Sequence, residues 1–249
     1  MKVNLLGAGI DRLSIEECTY RIGEFIEQGA PRFVVTLNPE LLYQAQFYSE
    51  LLDMVNQADL VTPDGVGIVW ACRVKGEPVP GRVTGIDLML GLLERAAEKG
   101  WRVFLLGSAP GVAEDAALNI VEKYPGLHVV GTHHGYFTPG DEPGLIEAIR
   151  KTRPHLLFVA LGAPRQEQWI YAHRQRLGVP VAMGIGGSLD VLAGRVPRAP
   201  AWMQTLHVEW LGRLLRQPSR WRRMLVLPKF AFMVLRTYLK KGRIASCRR

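Results

Sequence analysis

The chain reads as an α/β protein, a parallel sheet sandwiched by helices and followed by a basic helical tail. Three observations carry that reading. Four short apolar runs stop abruptly in polar residues and glycine: 33–35 before Thr36-Leu37-Asn38-Pro39-Glu40, 58–61 before Thr62-Pro63-Asp64-Gly65, 156–161 before Gly162-Ala163-Pro164-Arg165-Gln166-Glu167, and 181–183 before Gly184-Ile185-Gly186-Gly187-Ser188. The runs are continuous rather than alternating, as strands covered on both faces are. Stretches with helical start and stop signals separate them, the order expected of a parallel sheet with crossover helices.

Each element has a local cause. Met1-Lys2-Val3-Asn4-Leu5-Leu6-Gly7 reads as a short strand entering a glycine turn, without the long apolar core of a signal peptide. Ser14-Ile15-Glu16-Glu17 is a capping-box pattern opening a helix to about Glu27, the hydroxyl and carboxylate satisfying free backbone N–H groups. Strand 32–37 meets Asn38-Pro39, a cap followed by proline in the first turn. After strand 58–62, Asp64 precedes a helix reaching about Arg73; a further helix from about Ile86 to Glu98 stops at Lys99-Gly100, a basic last turn and a glycine. Strand 101–106 runs into Gly107-Ser108-Ala109-Pro110-Gly111 and a helix to about Lys123. Strand 127–131, a helix near 142–152, strand 155–161, helix 165–177 and strand 180–184 follow. Beyond Asp190 the pattern changes to helices alone: 203–216, a break at Gln217-Pro218, 219–227, Pro228, then about 229–241. The expected division is an α/β core over 1–196 and a helical appendage over 197–249.

Composition bounds the partners. At 249 residues, 48% hydrophobic, the chain can bury a full core. Its net charge of +8 hides an asymmetry: residues 195–249 hold fourteen Lys and Arg against one acid, Glu209, a local balance of +13 on a body of −5. Such a tail points to a polyanion, either nucleic acid or an anionic membrane face. Its arginines are interleaved with Trp210, Leu211, Leu214, Leu215, Trp221, Leu225, Phe230, Phe232, Met233 and Leu235. That is the composition of helices lying on a membrane surface, or of helices packed on their own body with solvated arginines. Cys18, Cys72 and Cys247 are scattered and form no C-x-x-C pair, so neither a disulfide framework nor a zinc site is expected, and a reducing cytoplasm fits. No run of about 18 apolar residues is present to cross a bilayer.

The strand ends hold the chemistry. In an open parallel sheet they share one edge, where ligands bind. Thr36, Asn38 and Glu40 end one run, Asp64 another, and Gln166 and Glu167 follow a third. A carboxylate among hydroxyls and amides suits a polyol such as a sugar, the carboxylate accepting a proton from an attacking hydroxyl; taken alone, Asp64 in Asp-Gly is a turn signal whose commonest role is a helix cap. Gly107-Ser108 and Gly184-Ile185-Gly186-Gly187-Ser188 are glycine turns of the kind that bind phosphate, or plain structural turns. Neither completes a dinucleotide fingerprint, Leu189 standing where G-x-G-x-x-G needs its third glycine. His133-His134 lacks metal-ligand spacing and reads as loop. No Ser-His-Asp or Cys-His motif occurs to supply an activated nucleophile, and no Asp-x-Asp triplet is present.

Seven segments in order resemble one family: Thr36-Leu37-Asn38-Pro39-Glu40, Thr62-Pro63-Asp64-Gly65-Val66-Gly67, Arg82-Val83-Thr84-Gly85-Ile86-Asp87, Leu105-Leu106-Gly107-Ser108, residues 131–137, Gly162-Ala163-Pro164-Arg165-Gln166-Glu167 and residues 184–195. They look like the motifs of the WecG/TagA/CpsF glycosyltransferases, glycosyltransferase family 26, and the tail from Pro197-Arg198-Ala199-Pro200 through Trp210-Leu211 to Arg223 is similar to that family's C-terminal appendage. The resemblance implies a Rossmann-like core at the cytoplasmic face of the cell membrane, held there peripherally. It implies transfer of a sugar, often N-acetylmannosamine, from a UDP-sugar to the 4-hydroxyl of a sugar on undecaprenyl diphosphate, with inversion and without metal or other cofactor. Carried over, Asp64 is the general base, and Thr36, Asn38 and Gln166 place the sugars. Arg82, Arg213, Arg220 and Arg223 face the diphosphates, and Gly107, Ser108, Tyr136, Gly187 and Asp190 line the nucleotide pocket. A homo-oligomer stays open, as do two other classes: a nucleic-acid binder using its basic tail, against which no nucleic-acid motif is found, and a nucleotide-dependent oxidoreductase, weakened by the missing fingerprint.

Overall fold

The computed structural model describes residues 2–200, 203 and 224–246, the side chains of 240–246 excepted. In chain order the elements are β1 (Lys2–Leu5), β2 (Ala8–Asp11), α1 (Ile15–Gln28), β3 (Arg32–Leu37), α2 (Pro39–Ala45), α3 (Ser49–Asn56), β4 (Leu60–Pro63), α4 (Val66–Lys75), α5 (Gly85–Lys99), β5 (Arg102–Gly107), α6 (Val112–Lys123), β6 (His128–His133), α7 (Glu142–Thr152), β7 (Leu156–Ala160), α8 (Arg165–Leu177), β8 (Val181–Gly184), α9 (Ser188–Leu192) and α10 (Val226–Ser246).

β3 to β8 form one six-stranded sheet in the order β4-β3-β8-β7-β5-β6, every pair parallel. The continuous apolar runs are explained by burial on both faces. Phe33, Val35 and Leu37 join one core while Val34 joins the other, and Leu157 and Val159 face away from Leu156 and Phe158 in the same way. One core takes α2, α3, α4, α7, α8 and the buried face of α10; the other takes α1, α5, α6 and α9.

The order of faces makes the site. α2 leaves β3 toward the first core, where Leu41 and Leu42 are buried, while α9 leaves the neighbouring β8 toward the second, where Leu189 is buried. Chains parting to opposite faces leave a crevice beyond the carboxyl ends of adjacent strands. A second such parting lies between β7, followed by α8 with Trp169 and Ile170, and β5, followed by α6 with Val112 and Ala113.

Several elements differ from expectation for identifiable reasons. The N-terminal strand turns back as an antiparallel hairpin, Leu6 and Gly7 adopting φ of 49° and 90°. β6 continues to His133 because Thr132 and His133 pair with Leu105 and Leu106, so His133 is strand rather than loop. α3 carries no start signal in the sequence: its N-cap, Tyr48, provides no side-chain hydrogen bond. α10 begins at Val226 and contains Pro228, which a helix tolerates in its first turn, where the missing N–H has no partner to lose. The helices expected over 203–216 and 219–227 lie mostly outside the described residues. α10 is no loose appendage: Phe230 and Val234 are buried in the first core, and Leu6 N–H donates to Tyr238 Oη at 2.8 Å.

Candidate active site

A cavity of about 460 Å³ opens at the carboxyl edge of the sheet, where β4, β3, β8 and β7 end. Thr36, Asn38, Asp64, Arg82, Gln166 and Gly187 all line it. The sequence scatters these residues over 150 positions; the parallel topology gathers them at one edge.

Each is held by a local device. Asn38 caps α2, Oδ1 accepting from Leu41 N–H at 2.9 Å, so the group it can offer a ligand is Nδ2. Thr36 Oγ1 donates to the Gly184 carbonyl at 3.3 Å, tying β3 to β8 and leaving its oxygen to accept. Asp64 is half-buried, and its backbone N–H donates to Leu37 O at 2.9 Å, which draws the end of β4 against that of β3. The residue capping α4 is Gly65, at φ 94°, so the helix-cap reading of Asp64 does not hold. Val83 N–H donates to Pro63 O at 3.0 Å, stitching the Arg82–Thr84 segment to the same strand end. Thr84 then caps α5, Oγ1 accepting from Asp87 N–H at 3.1 Å and donating to Asp87 Oδ2 at 2.6 Å.

Gln166 and Glu167 open α8 and are almost wholly buried. Gly186 N–H donates to Gln166 Oε1 at 3.0 Å and Gln166 Nε2 donates to Glu167 Oε1 at 2.7 Å. Burial pushes the Glu167 carboxyl up to about 7, against the smaller opposing pull of the Gln166 bond, so it is largely protonated below neutrality. Cavity and carboxylate chemistry thus divide: Asp64 lines the cavity, while Glu167 stands behind Gln166.

Gly107, Ser108 and Asp190 assemble elsewhere along the same edge. Ser108, at φ 58°, donates through Oγ to Asp190 Oδ2 at 3.2 Å, and Gly135 N–H donates to Ser108 O at 2.8 Å. Gly107 also has a purely structural reason to be glycine: at φ 130°, a Cβ would stand 2.4 Å from Ala160 O. Tyr136 neighbours this cluster in sequence and is 72% exposed. Arg213, Arg220 and Arg223 lie outside the described residues.

Sequence reasoning passed over several cavity residues. Trp70, on α4, presents an indole to the cavity, and Met224, Leu227, Phe230 and Ala231 wall one side. Nothing local marks Trp70, since an aromatic six residues past Asp64 reads as core. Among the described residues no three His, Cys, Asp or Glu converge to hold a metal ion, and no helix is long and apolar enough to cross a membrane.

Comparison with known proteins bears on what this edge does. The family model described as "Glycosyl transferase WecG/TagA/CpsF family" matches residues 3–244. An N-acetylglucosaminyldiphosphoundecaprenol N-acetyl-beta-D-mannosaminyltransferase of Bacillus spizizenii is 37% identical over 212 residues, 85% of this chain and 82% of the relative. A protein of the same name from Staphylococcus aureus strain MW2 is 34% identical over 241 residues, 96% and 94% of the two chains. A match this long includes the strand ends, the crevice and α10 together, and it decides among the three classes left open by the sequence: the chain is a glycosyltransferase belonging to the WecG/TagA/CpsF family.

Proposed function

We propose that the protein moves N-acetylmannosamine from a UDP-sugar to the 4-hydroxyl of N-acetylglucosamine carried on undecaprenyl diphosphate, inverting the anomeric centre and needing no metal ion. The observation that carries this reading is Asp64 lining a cavity to which the end of β3 brings Thr36, Asn38 and Glu40, the segment after α4 brings Arg82, and the start of α8 brings Gln166. The names of the relatives supply the sugar and the acceptor.

In the proposed reaction Asp64 takes the proton of the 4-hydroxyl as its oxygen attacks the anomeric carbon. The new glycosidic bond forms on the face opposite UDP, the bond to the diphosphate oxygen breaks, and UDP leaves with the electron pair. Asn38 Nδ2 and the Gln166 amide hold sugar hydroxyls, and Thr36 accepts from one. Charge growing on the leaving diphosphate needs cations or N–H groups in place beforehand. Arg82 is the described residue for that role, with Arg213, Arg220 and Arg223 proposed beside it; a guanidinium holds phosphate oxygens in pairs and stays charged. Gly107, Ser108, Tyr136 and Asp190 remain the proposed uridine side, with Gly187 between the two clusters. The exposed face of α10, with Phe232, Leu235 and Leu239, suits an anionic bilayer at the cytoplasmic face, where the lipid acceptor resides.

Asp64→Asn tests the assignment. It keeps the shape of the side chain and removes the proton acceptor, so turnover should fall by about 10²–10⁴-fold while donor binding persists. The assay, run in EDTA, uses UDP-N-acetylmannosamine and a short-chain lipid-diphosphate acceptor. Near-normal turnover of the variant removes Asp64 from the mechanism, and a wild-type rate that collapses until Mg²⁺ is restored removes the metal-free chemistry.

A further inference from the structure

Behind the cavity wall stands a buried carboxyl that the reaction above does not use. Glu167 is 1% exposed and is not among the residues lining the cavity. Oε1 accepts from Gln166 Nε2 at 2.7 Å, and Oε2 has no hydrogen-bond partner among the described residues. A buried acid half-satisfied in this way costs stability, and an apolar side chain of the same volume would fill the space better. What the acid does accomplish is visible one residue away. The Gln166 amide is gripped on both sides: Gly186 N–H donates to Oε1, Glu167 accepts from Nε2, and Gly184 lets the amide lie where a Cβ would be 2.5 Å from Nε2.

The grip selects one orientation of the amide. Turned over, the NH₂ would face the Gly186 N–H, donor against donor. In the observed orientation the amide keeps one N–H and one carbonyl lone pair uncommitted. We propose that Glu167 is a positioning residue for sugar transfer, fixing the Gln166 amide so that its remaining N–H is held at the sugar hydroxyl bound in the cavity. This rests on the reading above that Gln166 touches the sugar. Glu167 itself touches no substrate. The protonated acid serves the purpose as well as its anion, because the bond needs only an accepting oxygen; among the described residues no charged side chain contributes to holding Glu167 in either state.

The decisive variant is Glu167→Met, which keeps volume and removes both the acceptor and the orphaned oxygen. Its thermal midpoint should stay within a few degrees of the wild type, because removal of a half-satisfied buried acid offsets the loss of a partner for one Gln166 N–H. Its kcat should nevertheless fall by about tenfold or more, with KM for the donor changed less than about threefold, since a loosened amide is lost from the aligned state rather than from the cavity. Glu167→Gln, which retains an accepting oxygen, should restore at least about a third of the wild-type kcat. In a Gln166→Ala background the methionine variant should slow the enzyme no further, because the two residues act as one unit. A stable Glu167→Met with wild-type kcat overturns the inference, as does a loss that multiplies fully onto Gln166→Ala. If Gln166→Ala alone turns over normally, the placing of Gln166 on the sugar fails, and this inference with it; a slow Gln166→Ala beside a fast Glu167→Met rejects the role of Glu167 alone.

Discussion

A methyl group on Gly184 would stand 2.5 Å from Gln166 Nε2, 2.9 Å from its Cδ and 3.0 Å from its Cγ. The backbone of Gly184 lies in an ordinary β conformation within β8, so Gly184→Ala adds no torsional strain and acts only through that collision. Ordinary contact requires the amide to retreat by roughly 1 Å. The retreat breaks the bonds to Gly186 N–H and Glu167 Oε1 and leaves both groups buried and unpartnered. At about 1–2 kcal/mol for each, the loss is about 2–4 kcal/mol, within the reserve of a typical domain, so the variant should fold with a lowered midpoint. Activity should suffer more: an ångström of misplacement in a residue that positions substrate costs on the order of 10²-fold in kcat/KM. Thermal melting and the transfer assay read the two effects separately. In a Gln166→Ala background Gly184→Ala should lower the midpoint no further, because the collision is gone and the two partner groups are already unpaired, while the rate stays low. A Gly184→Ala protein with wild-type midpoint and rate would refute the account of how this amide is held.

Two further outcomes are expected. Because burial raises the Glu167 carboxyl from an ordinary 4.5 to about 7, the folded protein retains a proton between those values that the unfolded chain has released. That contribution to stability is therefore fullest at the acid end, declines as pH rises through the window by up to about 3 kcal/mol, and is flat above it; chemical denaturation from pH 4.5 to 8 should show the decline in wild type and its absence from Glu167→Gln. Phe232 and Leu239 on α10 are 67% and 57% exposed, so Phe232→Glu with Leu239→Glu should leave the melting midpoint within a few degrees and strongly reduce sedimentation with phosphatidylglycerol vesicles; undiminished sedimentation would move the membrane contact off this helix.

The sheet was legible because its cause is local. Continuous apolar runs ending in glycine and polar residues are what strands covered on both faces look like, and capping signals at Ser14 and Asn38 and the stop at Lys99-Gly100 marked the helices between them. The gathering of Thr36, Asn38, Asp64 and Gln166 followed from parallel topology alone. What escaped has no local signature. The burial of Phe230 and Val234 depends on a bed made by α2 and α4, far away in sequence, and the composition of the tail fitted a membrane surface and its own body alike. Glu167 looks like any acid in the first turn of a helix; its burial comes from surroundings the chain supplies elsewhere. Likewise Gly65 displaced Asp64 from the cap because Asp64 is tied to Leu37 across the sheet, a contact no window of sequence contains.

The position of β8 sets an order of events in biosynthesis. It is the last strand among the described residues, yet it lies between β3 and β7, and the Thr36–Gly184 bond closes a loop of 148 residues. At about 5–20 residues per second, a ribosome that has finished β3 needs on the order of 10–30 s before β8 emerges. Throughout that interval β3 carries an unsatisfied edge in the middle of the future sheet, a place where a nascent chain is open to mispairing and to chaperones. The crevice between β3 and β8 cannot exist before then, so a nascent chain that stops short of β8 lacks it. α10, with its outward apolar face, is made only after the sheet has closed. A chain built in this sequence completes its sheet before it gains α10, whose Leu227, Phe230 and Ala231 then close one wall of the cavity.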